Sequence, residues 1–116
     1  MTTLKTTLIA MTAIVAVTTT AAMSKEGIDF LSPFLAEIMA LGWQGQFNLD
    51  FACYLVLSAL WIAWRHGFSL GGFLIAGLAA LLGILVFAPY VLVQISRAEG
   101  DPRRLLMGVH AVPRTV

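Results

Sequence analysis

Ionisable side chains are missing from three long windows of this sequence. No Asp, Glu, Lys or Arg lies between Lys5 and Lys25, between Asp50 and Arg65, or between Arg65 and Arg97. A hydrocarbon layer about 30 Å thick is crossed by about 20 apolar residues in a helix. Windows of this kind therefore predict a polytopic membrane protein. Composition agrees: 59% of residues are hydrophobic and 11% charged, against roughly 25% charged in a soluble domain. A soluble core of this composition would lack the polar surface to cover it.

The first segment, residues 6–23, is apolar and rich in threonine, and Lys5 precedes it. A lysine followed by a short apolar core and small residues also describes a signal peptide. Threonine hydroxyls can bond back to helix carbonyls, so a retained first span accommodates them, and the retained span is the reading adopted. Residues 24–48 form the longest connection. Within it Ser32 as N-cap, Pro33 at the first helical position and Gly42 as the stop predict a short helix over 33–41. Phe34, Leu35, Ile38, Met39 and Leu41 share one side of it, and Glu37 points away. At 1.5 Å per residue it is too short to span, so an amphipathic interfacial helix is expected.

The second span is expected over 48–64 and the third over 70–95. Trp43 ahead of the second span, and Trp61 and Trp64 near its end, suit the membrane interface as aromatic anchors. Pro89 removes a backbone donor and predicts a kink in the third span. The expected fold class is all-α, a transmembrane bundle of three spans with one interfacial helix. Residues 1–98 form that domain and 99–116 a polar tail. With three spans, the 24–48 loop and the tail share a side. That side carries Lys25, Arg97, Arg103, Arg104 and Arg114, so the positive-inside rule places the tail in the cytoplasm.

Two features bear on function. Gly72, Ala76 and Ala80, with Ala79 and Gly83 beside them, form a small-residue ridge on which a helix can pack closely. It serves either a partner helix or this chain's own spans. Asp50, Tyr54, Ser58 and Arg65 fall on a polar stripe of the second span at steps of three and four. In one account Asn48 caps the helix and Asp50 sits in its first turn, facing the positive end of the dipole. In the other, Asp50 faces the bundle and marks an ion or proton path, with Tyr54 and Ser58 as its partners.

Reactive constellations do not emerge. Cys53 is the single cysteine, so no intrachain disulfide can form. His66 and His110 lack metal-ligand spacing partners. No phosphate loop and no Ser/His/Asp pattern appears. The expectation is no catalysis, no cofactor and no metal, and the net charge of +1 gives no reason to expect a nucleic-acid partner.

The stretches FNLDFACYLVLSALWIAWRHG and GILVFAPYVLVQISR resemble small bacterial membrane proteins grouped as domain of unknown function 2834. The resemblance covers roughly residues 8 to 98 and rests on Asp50, Ser58, Trp64 and Pro89. It implies three spans and a bacterial inner-membrane location, and it carries no activity. The expected role is therefore a structural or accessory subunit, or a small homo-oligomer, in contact with the lipid bilayer and with a membrane-protein partner or a second copy. The alternative is small-solute or proton-coupled transport through an oligomer along Asp50, Tyr54 and Ser58.

Overall fold

The computed structural model describes residues 1–111, and every secondary-structure element among them is helical. The order is α1 (Thr2–Glu26), α2 (Leu31–Met39), α3 (Trp43–Arg65), α4 (Leu70–Leu82), α5 (Ile84–Ala98) and α6 (Pro102–Met107), closed by a 3-10 turn (Gly108–His110). The assembly is elongated, 57 × 26 × 25 Å. Pro113 and Arg114 of the expected tail lie outside the described residues.

Two helices, α1 and α3, are long and apolar enough to cross a membrane. Their 25 and 23 residues reach about 37 and 34 Å. Four α1 threonine hydroxyls are satisfied within the helix: Thr6, Thr7, Thr12 and Thr20 each donate to the carbonyl four residues earlier. That keeps these four hydroxyls paired on a helix that is nearly all exposed. Only one stripe of α1, Leu8, Thr12, Val15, Ala16 and Thr19, turns inward, and α1 packs on α5.

The third span differs from expectation. Residues 70–95 do not form one helix: the chain breaks at Gly83, between α4 and α5. Gly83 has φ +64° and ψ −132°, a backbone conformation that side chains with a Cβ rarely take. The 13 and 15 residues of α4 and α5 give about 20 and 22 Å, short of a span. The kink expected at Pro89 is displaced to Gly83, and α5 runs through Pro89 as a helix.

The break reverses the chain. Gly72, near the start of α4, lies against the His66 side chain, while Gly83 at its end lies beside Phe51 and Leu55. So α4 runs antiparallel to α3, with Gly72, Ala76, Ala79 and Gly83 buried and Ala80 partly so. The small-residue ridge thus packs on the chain's own α3. Then α5 turns back: the Phe87 ring is 5.8 Å from that of Trp61, and the Tyr90 hydroxyl reaches Arg65. Continued straight from α4, α5 could not bring Tyr90 to the α3 C-terminus.

Around α2 the caps also differ. Helix α2 starts at Leu31, and the Asp29 carboxylate, not Ser32, supplies the cap by accepting from Ser32 N at 3.1 Å. Hydrogen bonding from Ser32 holds the Asp29 carboxyl below its usual range. The stop falls at Leu41, with φ +61°, and Gly42 becomes the N-cap of α3. Phe34 and Ile38 face α3, whereas Leu35 and Met39 stay exposed.

Because α2 packs on the first turns of α3 and α6 on its last, the 24–42 connection and the 99–111 segment lie at opposite ends. The sharing of one side expected from three spans does not hold. Arg65, Arg97 and Arg104 line one cavity at the α3 C-terminal end, and α1, which leads into α2 at the other end and packs on α5, carries Lys25 and Glu26 toward α2 and Lys5 away from it.

Candidate functional site

The inward stripe of α3 is Gly45, Asn48, Ala52, Leu55, Ala59, Ile62 and Arg65, at steps of three and four. Asp50 and Tyr54 are exposed, and Ser58 is half-buried with its hydroxyl on the Leu55 carbonyl of the same helix. Each step of four overshoots a full turn by about 40°, so the expected polar stripe winds from the outer to the inner face. Asp50, Tyr54 and Ser58 do not converge with Arg65. Nor does Asn48 cap α3, which begins at Trp43. Instead Asn48 donates to the Phe34 carbonyl at 3.1 Å and accepts from Gln44 at 2.9 Å, tying α2 to α3. Asp50 is therefore well inside the helix, outside its first turn, and makes no hydrogen bond or ion pair among the described residues.

The polar chemistry collects at the other end, around Arg65, which is 4% exposed. Its Nε donates to the Leu105 carbonyl at 2.6 Å, Nη2 to the Arg104 carbonyl at 3.0 Å, and Nη1 to the Tyr90 hydroxyl at 2.8 Å. The Trp61 indole donates to the Leu106 carbonyl at 3.0 Å. These three carbonyls belong to the last turn of α6, where a helix runs short of internal donors; the Arg104 carbonyl also accepts from Gly108 N. A six-residue helix has little stability alone. Its end is held by α3 side chains, and Asp101 caps its start by accepting from Arg103 N.

Capping is reciprocal. His110 Nε2 lies 2.7 Å from the Trp64 carbonyl at the end of α3, which makes that nitrogen the donor. The His110 ring stacks on Trp64, centroids 4.3 Å apart. Between the two contacts sits Gly108, with φ +56°, where a Cβ would run into the Arg65 carbonyl. Trp61 and Trp64, expected as interface anchors, are thus engaged within the fold, whereas Trp43 is 79% exposed. The expected polar tail is, over 102–110, a docked helix and turn.

Tyr90 links the clamp to His66. Its oxygen accepts from Arg65 and lies 2.8 Å from His66 Nε2. A guanidinium can only donate, so the hydroxyl proton points to His66 Nε2 and the ring proton resides on Nδ1, an assignment made from the network. Desolvation, then the positive charges of Arg65 and Arg97, push the His66 pKa below its ordinary value of 6.5. Arg65 also lies 5.5 Å from the Trp61 ring centroid and 5.8 Å from that of Tyr90, which stabilises the buried charge further.

A cavity of about 270 Å³ opens beside this network, lined by Arg65, His66, Gln94, Arg97 and Arg104 among others, with no carboxylate among the described residues of its wall. A shallow groove of about 420 Å³ runs along α1 past Ala16, Val17 and Thr20, without an ionisable group. No cluster of His, Cys, Asp and Glu suited to a metal occurs among the described residues.

Sequence reasoning singled out Arg65 but not its partners Tyr90, His66 and the α6 carbonyls. One signal was available: Arg65 is the only Asp, Glu, Lys or Arg between Asp50 and Arg97, and a lone cation among apolar segments requires acceptors. No family model, curated protein or solved structure matches the chain.

Proposed function

We propose that this chain is a small integral membrane protein with a structural or accessory role and no catalysis of its own. In this reading α1 and α3 cross the bilayer, and α4–α5 forms a hairpin that enters and leaves on one side. The observation that carries it is the apolar surface left uncovered: only 6% of the α1 window and 11% of the α3 window are buried within the chain. Ile9, Ile14, Val17, Leu49, Val56, Leu57 and Leu60 all face outward. Lipid, together with a partner helix or a second copy, would cover such a surface. The basic end, with both Lys5 and the α6 segment, lies in the cytoplasm by the positive-inside rule. The resemblance to domain of unknown function 2834 would make the membrane a bacterial inner membrane.

Extraction tests this reading. The chain should remain with membranes in alkaline carbonate, leave them in mild detergent, and co-purify with a stoichiometric partner or its own copies. Release by carbonate, or a strictly monomeric and partner-free detergent complex, would count against it.

A second reading rests on Asp50. Seven residues past Trp43 it stands about 10 Å along α3, exposed next to Tyr54, where an ionisable group in lipid is costly. In an oligomer this face could carry protons or a small solute. Unchanged flux in proteoliposomes with Asp50→Asn would remove that alternative.

A further inference from the structure

The Arg65 end holds more positive charge than its own contacts neutralise. Arg65 is buried, yet its partners are carbonyls and a hydroxyl, none of them an anion. Arg97 is exposed at the cavity and makes no hydrogen bond or ion pair among the described residues. Among the described residues the Arg104 side chain meets Glu99 alone, at 3.7 Å and on the solvent side, where both side chains are more than half exposed. Three guanidinium groups thus surround one cavity of about 270 Å³ whose wall, among the described residues, holds no carboxylate.

A second, independent feature points into the same space. Gln94 is 8% exposed, lines the cavity, and its amide makes no hydrogen bond among the described residues. Its polar atoms reach the open space of the cavity, since no enclosed side-chain nitrogen or oxygen among the described residues lacks a partner. A ligand that accepts from guanidinium and amide donors together fits these groups.

We infer that the cavity between the α3 C-terminus, α5 and α6 binds a phosphate group, with Arg97 and Arg104 as charge partners and the Gln94 amide as a neutral donor. Guanidinium suits phosphate because its planar fork can donate two parallel bonds to two oxygens. His66 lines the same wall, so a bound phosphate would also raise the affinity of its ring for a proton. Two sources share this chemistry: an anionic lipid headgroup, which basic pockets at the end of a helix bundle suit, and a soluble phosphate. The lipid source rests on the membrane reading above; the phosphate chemistry does not.

The test uses the full chain in two arms. In nanodiscs of equal phosphatidylglycerol and phosphatidylcholine, native mass spectrometry reads the lipid retained after release. In detergent without added lipid, inorganic phosphate is titrated while the His66 imidazole resonances are followed. Preferential retention of phosphatidylglycerol, reduced about tenfold by Arg97→Gln with Arg104→Gln, assigns the site to a headgroup. A saturable phosphate shift without lipid preference, lost in the same variant, assigns it to a soluble phosphate. Gln94→Leu keeps every charge and should weaken whichever binding is seen; binding unchanged in Gln94→Leu would mean a diffuse basic surface and overturn the site. Equal behaviour of wild type and the double arginine variant, or no binding in either arm, overturns it as well. Neither arginine side chain takes part in the clamp, so both variants should fold. A chain that fractionates as soluble would contradict the membrane reading while leaving the phosphate titration decisive.

Discussion

Arg65 Nε donates to the Leu105 carbonyl at 2.6 Å across 40 residues of sequence. This bond and its neighbours make the end of α3 the cap of α6, and so fold the segment after Ala98 back onto the bundle. One guanidinium supplies three of the polar contacts at this end.

Arg65→Met should therefore release α6. Two carbonyls and the Tyr90 hydroxyl lose a charged donor, at a cost of about 2–4 kcal/mol. Limited proteolysis of the detergent-solubilised protein should show new cleavage between Glu99 and His110, with α1 and α3 intact. Arg65→Lys should restore only part of the protection, since an ammonium lacks the fork that reaches three acceptors.

Acidification should loosen the same contact. The folded state holds the His66 pKa below 6.5, so it binds that proton less readily than the unfolded chain does. Stability is then full above about 6.5 and falls as pH drops from there through the folded pKa. Protonated His66 would also place a second cationic donor on the Tyr90 oxygen already taken by Arg65. Protease sensitivity of the 99–110 segment should rise below about pH 6.5, and His66→Asn should flatten that dependence.

At Gly108 a Cβ is excluded twice, by its positive φ and by the Arg65 carbonyl. Gly108→Ala should destabilise docking by about 1–3 kcal/mol. The His110–Trp64 stack should open, read as a red shift and increase in accessibility of Trp64 fluorescence in a variant whose other tryptophans are replaced by phenylalanine.

What the sequence made legible followed from patterns local to one helix. Charge-free windows located α1 and α3, and the Gly72, Ala76 and Ala79 spacing located a packing ridge. The α2 segment was legible from its turn residues, although Asp29 took the capping role assigned to Ser32, being the stronger acceptor. The break at Gly83 was not legible, because a glycine within an apolar run is also compatible with a continuous helix and Pro89 offered the more conspicuous irregularity. The position of Asp50 was misjudged for a related reason: Gln44, Phe47 and Asn48 read as a connection, yet α3 extends through them because Asn48 bonds to Phe34 of α2. The clamp was hidden altogether. Its bonds join residues 25 to 46 positions apart, and all its acceptors but the Tyr90 hydroxyl are backbone carbonyls, which no side-chain pattern announces.

The most direct measurement concerns the side on which each end of the chain lies. In a Cys53→Ala background, Thr3→Cys, Asp29→Cys and Glu99→Cys would each be probed with a membrane-impermeant maleimide in right-side-out vesicles. The returning α4–α5 hairpin predicts that Thr3→Cys and Glu99→Cys are protected together while Asp29→Cys is labelled. Labelling of Glu99→Cys together with Asp29→Cys would mean that 70–95 crosses the bilayer as a third span, and would contradict the account.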